Sequence, residues 1–364
     1  MKMNRNALLI TLLGLSLLWY PLVSNAQEFE VTDITGTYKY TVLSFADRNV
    51  ELTNVQPTID SINIPGSVIY NGIEFVVTRL GHSAFNETSV KSVVFPNSIT
   101  LVGYNENPAD VYVSTKNSGC FGNCENLTLV VLSENLKAID GGMFYGCSSL
   151  KTIDIPASVL YIGNQAFAYS ALENFTGGES IKETSYLSFA GSNLKSFVAP
   201  NIEVIGHECF AGCYQLQYAY FGKNIKIVYE RAFAGCESLS AIVCLSTTFP
   251  DVRKFWGNGY LGYVKEGTKP HLFVPCNFQM VEGSQWSEAF IVEKCRAGLI
   301  TVFSNDDNKG QAIITKNASC STSVAEIMAW PKDGYHFVKW SDGDTSNPRT
   351  LTINKKIELI AIFE

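Results

Sequence analysis

The stretch Ile139-Asp140-Gly141-Gly142-Met143-Phe144-Tyr145-Gly146-Cys147-Ser148-Ser149-Leu150-Lys151-Thr152-Ile153-Asp154-Ile155-Pro156 decides the architecture. Ile153 and Ile155 alternate with Thr152 and Asp154, so a strand would send the isoleucines inward and the polar pair outward. Pro156 has no N–H to give to a ladder and closes the strand. The stretch is one of a series. Phe recurs as Phe85, Phe121, Phe144, Phe167, Phe189, Phe210 and Phe233, and from Phe121 the steps are 23, 23, 22, 21 and 23 residues. An apolar residue follows each Phe: Val90, Leu127, Leu150, Leu172, Leu194, Leu216 and Leu239. Three positions beyond stand Val93, Val130, Ile153, Phe175, Phe197, Ala219 and Ile242.

A period near 22 residues signals coils stacked on one another. One such coil cannot seal its own Leu, Ile and Phe from water. Piling the coils buries each apolar column against the next and pairs each strand with its neighbour in a parallel ladder. The ends need caps, because an open last coil exposes both core and strand edge. Gly81, Gly163 and Gly206 fall where each coil is expected to turn sharply.

At these residues the chain resembles a known family. Ile162-Gly163-Asn164-Gln165-Ala166-Phe167, Ile205-Gly206-His207-Glu208-Cys209-Phe210-Ala211-Gly212-Cys213 and Arg231-Ala232-Phe233-Ala234-Gly235-Cys236 are similar to the BspA-like leucine-rich repeats of bacterial surface proteins. The segment from Ile64-Pro65-Gly66 to Arg79-Leu80-Gly81 resembles that family's entry into its first coil. The likeness runs over roughly residues 62 to 295. It departs at residues 104–119, an insertion that lengthens the first step, and at Thr176-Gly177, where the apolar-Pro ending is lost. The resemblance implies a curved solenoid that binds a partner and catalyses nothing.

Composition agrees with a β-rich globular protein. Of 364 residues 46% are hydrophobic and only 17% charged, with 22 Phe, 17 Tyr and 28 Gly. That mixture suits strands and turns better than charged amphipathic helices. The N-terminus reads as a signal peptide: Lys2 and Arg5, an apolar run from Ala7 to Leu18, Pro21, then Ser24-Asn25-Ala26 before Gln27. Its removal takes the net charge from −7 to −9. A phosphate backbone repels such a surface, so no nucleic-acid partner is expected. The expected address is secreted or in the envelope of a bacterium, with no transmembrane segment left after cleavage.

Ten cysteines in such a chain invite disulfides. Cys124, Cys147, Cys213 and Cys236 share a repeat column with Ser170 and Ser192, which favours buried packing thiols over stacked bridges. Cys276 and Cys295 lie outside the repeat, flank Trp286, and form the candidate disulfide; Cys320 then lacks an obvious partner. The four histidines are His82, His207, His271 and His336. His82 and His207 share a repeat position with Asn164 and Glu230, which reads as a tolerant, exposed site. No nucleophile–base set, paired-carboxylate cleft, metal knuckle or phosphate-binding loop stands out. Neither catalytic residues nor cofactors nor metals are expected.

After Cys295 the period stops. Runs such as Gln311–Thr315, Val324–Trp330 and Ile357–Phe363 alternate like strands, parted by turn-rich segments. Gly334-Tyr335-His336-Phe337, Trp340, Gly343, Asn347-Pro348-Arg349 and Ile357, Leu359, Ala361, Phe363 resemble the divergent B-repeat of internalin-type surface proteins. The resemblance implies a spacer or adhesive appendage, and Trp340 and Tyr335 are expected in its core. The fold class is therefore mostly β: a leucine-rich-repeat solenoid of parallel strands and short helical turns, followed by a small all-β domain. The expected division is signal peptide 1–26, N-terminal cap 27–79, repeats with C-terminal cap 80–297, and β domain 298–364.

Solenoids bind along a face. The outward strand positions are Val94, Leu129 and Val131, Thr152 and Asp154, Asn174 and Thr176, Val198, and Tyr218 and Tyr220. Several are apolar, which an idle solvent face disfavours. Tyr218 and Tyr220 are the strongest candidates, since Tyr joins large area to few rotors and a polar end. The insertion adds Tyr104, Asp110 and Tyr112 as candidate contacts. The expected partner is a protein outside the cytoplasm, with a glycan, or no ligand at all, as alternatives.

Overall fold

The computed structural model describes residues 27–103, 119–177, 180–254, 261–262, 269–295, 300–306, 309–316, 318–332, 334–355 and 357–364. Through its middle Phe85, Phe121, Phe144, Phe167, Phe189, Phe210 and Phe233 form a single file, each fully buried. Successive ring centroids stand 5.0, 5.6, 5.3, 5.3, 5.8 and 5.5 Å apart, with rings stacked within 21° of parallel. From Phe85 to Phe210 each Phe N–H donates to the carbonyl just before the next Phe, as in Phe144 to Ala166 (2.8 Å) and Phe189 to Cys209 (2.9 Å). Side-chain file and amide ladder thus run together, and those buried amides find partners.

Two more parallel ladders complete each coil. On the face, Asn174–Thr176, Ser196–Ala199, Tyr218–Phe221, Ala241–Cys244, His271–Val274 and Ile291–Lys294 make one six-stranded sheet. Ser61–Asn63, Ser92–Val94 and Leu129–Val131 make a separate three-stranded sheet at its N-terminal side. On the return, short strands from Ala138–Ile139 to Asp251–Arg253 pair coil by coil. From Phe144 on, the turns around each Phe use the left-handed region twice, two residues before the ring (as at Gln165, Leu187, Glu208 and Arg231) and two after it (as at Tyr169, Gly191, Gly212 and Gly235), with φ between 52° and 73°. Single i→i+3 turns lie between, such as Tyr145 N–H to Gly142 O at 2.9 Å. Gly206 serves another purpose than the expected turn: a Cβ there would sit 2.2 Å from the Ser185 carbonyl oxygen, so the glycine permits coil-on-coil contact.

The stretch that reveals the period is itself the exception in the face. Ile153 and Ile155 are half-buried against the core while Thr152 and Asp154 are exposed, so the inward–outward alternation holds. No strand forms at residues 151–156, however, and the face sheet is split there. Glu173 N–H still reaches Lys151 O at 3.1 Å, but the pairing is not carried on. Instead an open groove of about 370 Å³ lies between residues 129–134 and 152–157.

Both ends of the stack are sealed. The N-terminal sheet pairs Glu28–Asp33, Gly36–Ser44 and Asn49–Pro57 antiparallel, then joins Ile73–Leu80, with Tyr38 and Tyr40 buried beneath. At the other end the helix Gln285–Ala289, capped by Ser284, buries Trp286, whose Nε1 donates to Pro250 O at 3.0 Å. Phe290 meets Phe233 edge-on at 6.4 Å and ends the file. Beyond it, two three-stranded sheets (Ile300–Ser304, Ile357–Phe363 and Phe337–Trp340; Gly310–Lys316, Val324–Pro331 and Arg349–Thr352) enclose a second core around Trp340, Ile327 and Phe363. Trp340 fills that core as expected, but Tyr335 is 42% exposed and does not.

Candidate binding face

Strand register lines the outward side chains into two rows. One row is Asn174, Ser196, Tyr218, Ala241, His271 and Ile291. The other is Thr176, Val198, Tyr220, Val243, Phe273 and Glu293. The fold places Tyr218 between the small Ser196 and Ala241, and Tyr220 between Val198 and Val243. Tyr218 is half-buried there, and burial pushes its phenol above the usual range, with adjacent Tyr220 adding to the shift. Val198, Tyr220, Val243 and Phe273 form a continuous apolar stripe four strands long, although Val243 is itself almost fully buried.

The sequence-derived site residues fall into two groups. Asn174, Thr176, Val198, Tyr218 and Tyr220 come together on the six-stranded sheet. Val94, Leu129 and Val131 come together on the three-stranded one, with Leu129 and Val131 53% and 46% exposed. Thr152 and Asp154 lie between them on the segment outside both ladders. Tyr104, Asp110 and Tyr112 lie outside the described residues. His271, Phe273, Ile291 and Glu293 extend the face beyond what the repeat shows, because Phe273 follows Val243 after 30 residues and the period hides it. His271 Nδ1 contacts the Glu293 carboxylate, and its ring stacks on Phe273 at 5.8 Å.

Salt bridges edge the coils beside this face. Lys195 Nζ lies 2.6 Å and Lys151 Nζ 3.8 Å from the Glu173 carboxylate. The hydrogen bond and charge of Lys195 hold the Glu173 pKa below the usual carboxylate range.

Two sequence expectations are corrected. The disulfide joins Cys276 to Cys320, not to Cys295, with Cα atoms 5.5 Å apart. Cys295 stays outside it as a buried thiol, paired through its backbone with Ser319, which brings Cys320 to the edge of the solenoid cap. The polar column of His82, Asn164, His207 and Glu230 is not exposed. Glu230 is 1% and His207 7% accessible, with His207 Nε2 3.5 Å from Glu230 Oε1, and His82 Nδ1 stands 3.3 Å from Asp140 Oδ2. The column sits where consecutive coils turn against each other, so its polar atoms serve neighbouring coils; Asn164 Oδ1, for example, accepts from Tyr186 N–H at 3.1 Å.

The repeat-column cysteines are buried thiols. Each donates to the carbonyl of the preceding coil's Phe: Cys124 to Phe85 (2.9 Å), Cys147 to Phe121 (3.1 Å), Cys213 to Phe189 (3.0 Å) and Cys236 to Phe210 (3.2 Å). Ser170, in the same column, donates instead to the Phe167 carbonyl of its own coil (2.8 Å). Among the described residues no group of three or more His, Cys, Asp or Glu side chains is placed to hold a metal ion, and no helix is long and apolar enough to cross a membrane.

Two protein-family matches agree with this architecture. Residues 58–106 and 114–243 match the BspA type leucine rich repeat region in six copies, and residues 300–364 match the divergent InlB B-repeat domain. No curated protein matches the chain. Similar solved structures include a leucine-rich repeat protein of T. pallidum (19% identity, 61% of this chain and 85% of that one, TM-score 0.39). Another is a leucine-rich repeat protein of Bacteroides ovatus (14% identity, 73% and 100%, TM-score 0.32). A third comes from Bacteroides capillosus (31% identity, 36% and 84%, TM-score 0.27). The stacked Phe file, the coil-by-coil ladders and the two matches together make this chain a BspA-type leucine-rich-repeat protein with a C-terminal divergent InlB B-repeat domain.

Proposed function

We propose that the protein is exported to the bacterial surface or beyond and docks an extracellular protein on the solenoid face. The observation that carries this reading is the stripe Val198–Tyr220–Val243–Phe273, flanked by Tyr218, on strands held in register. Fixed rings on a rigid sheet lose little conformational entropy on binding, and Tyr supplies both apolar area and a hydrogen-bonding end. The signal-like N-terminus supports an address outside the cytoplasm.

The test compares the wild type with a Tyr218→Ala, Tyr220→Ala double variant on arrays of extracellular matrix proteins and of glycans. Both side chains stand half-buried on the outward face, so the variant should still fold, with a melting transition lowered by no more than the loss of that partial burial. Loss of at least tenfold in affinity for a protein ligand supports the reading; full binding by a folded variant refutes it. A glycan partner is the second reading, favoured by Trp330, 64% exposed on the C-terminal module.

A further inference from the structure

The break in the face sheet carries a more specific inference, which rests on the strand face being the docking surface. We propose that an extended, basic peptide segment of a partner protein adds as a β-strand in the groove between residues 129–134 and 152–157.

The argument starts from the backbone of Leu129–Val131. Leu129 N–H donates to Lys91 O at 3.2 Å, and Val131 O accepts from Phe95 N–H at 2.9 Å, so both residues face the preceding coil. Successive residues of a strand direct their N–H and C=O to opposite edges. Val130 and Leu132 therefore present theirs to the other edge, and that edge borders the groove. Leu129–Val131 is the terminal strand of its sheet, and among the described residues no strand pairs with its outer side. Elsewhere in the solenoid the next coil occupies this place. An edge with an unspent donor and acceptor row is a template for one more strand.

Side chains narrow the occupant. Leu129 and Val131 stand exposed at one rim, and Ile153 and Ile155 are half-buried in the opposite wall. An alternating apolar segment answers both. Glu134 and Asp154 line the groove, and among the described residues no Lys, Arg or His does. Two carboxylates there select a basic strand and repel an acidic one. At about 3.3 Å per residue, the edge from Leu129 to Leu132 accepts a run of about four residues.

The test uses the full mature chain and a labelled peptide, acetyl-Lys-Val-Thr-Val-Thr-Val-Lys-amide, titrated by fluorescence anisotropy. Saturable binding is expected. N-methylation of alternate amides should weaken it at least tenfold, because it blocks strand pairing and leaves the side chains in place. A Glu134→Lys, Asp154→Lys variant should bind the basic peptide about tenfold more weakly and prefer a version with Glu in place of Lys. Hydrogen exchange should slow at least tenfold at the amides of Val130 and Leu132 when the peptide binds. The Tyr218→Ala, Tyr220→Ala variant should bind this peptide unchanged, so failure of the groove and failure of the tyrosine face are separable. Absence of binding, indifference to N-methylation, or protection of other amides instead overturns the proposal. So does a neutral oligosaccharide, or a second copy of the chain, protecting Val130 and Leu132 in place of the peptide.

Discussion

Replacing Phe167 by Ala tests the stacked-coil account at its centre. Its ring lies between Phe144 and Phe189, 5.3 Å from each and within 17° and 9° of parallel, and it also meets Phe175 edge-on at 6.2 Å. The side chain is fully buried. Removing it loses a transfer term of roughly 1.5–3 kcal/mol and leaves a cavity in a stack that cannot easily collapse, for a total of about 3–5 kcal/mol. Phe167→Leu keeps most of the volume and should cost only about 1–2 kcal/mol, chiefly the two stacking contacts. Urea unfolding followed by circular dichroism reads both. A double-mutant cycle sharpens the test: Phe144→Leu with Phe167→Leu should couple by about 0.5–1.5 kcal/mol. Phe144→Leu with Phe189→Leu, one coil further apart, should be additive within about 0.5 kcal/mol. If Phe167→Ala costs less than about 1 kcal/mol, or the distant pair couples as strongly as the adjacent one, the file is not what holds neighbouring coils together.

The remaining predictions concern chemistry and close approach. Burial pushes the Cys213 and Cys244 thiols up to about 11, so native protein at pH 8 should resist iodoacetamide at these sites. In denaturant without reductant, mass spectrometry should count eight adducts, and a bridge inside the repeat column would lower that number. Lys195 lowers the folded pKa of Glu173, so the ion pair stabilises above the ordinary carboxylate value and that contribution is lost as pH falls through the lowered one. Glu173→Gln should therefore melt slightly below wild type at neutral pH, by less than about 1 kcal/mol, and the gap should close in acid; a gap that widens in acid contradicts the pairing. Gly206→Ala should destabilise by at least about 2 kcal/mol, since the new methyl meets the Ser185 backbone at 2.2 Å. Gly66→Ala, with its nearest neighbour at 3.5 Å, should stay within about 0.5 kcal/mol in the same denaturation assay.

The Phe file was legible in the sequence because one ring per coil must occupy one place in the core, and spacing alone reveals it. The inward–outward alternation at Ile153 and Asp154 was legible for the same reason. Ladder membership was not, since hydrogen bonding at residues 151–156 depends on where the neighbouring coils lie and side-chain pattern carries no trace of it. His207 and Glu230 misled because polar side chains usually mark solvent, whereas here they lie where coils turn against each other. Cys320 could not be matched to Cys276 by spacing. Their approach depends on Ser319 pairing with Cys295, a contact between two segments of unrelated pattern. Phe273 escaped notice because its strand follows a longer connection and breaks the count.

The bond between Cys276 and Cys320 closes a loop of chain that contains the junction between the repeat core and the C-terminal module. A protease that severs the chain within that loop leaves two pieces still covalently joined. If the protein is exported as proposed, shedding of the module would then demand two independent events, a cut and a reductant. In an oxidising medium a nicked molecule would travel, and pull on whatever it holds, as one piece.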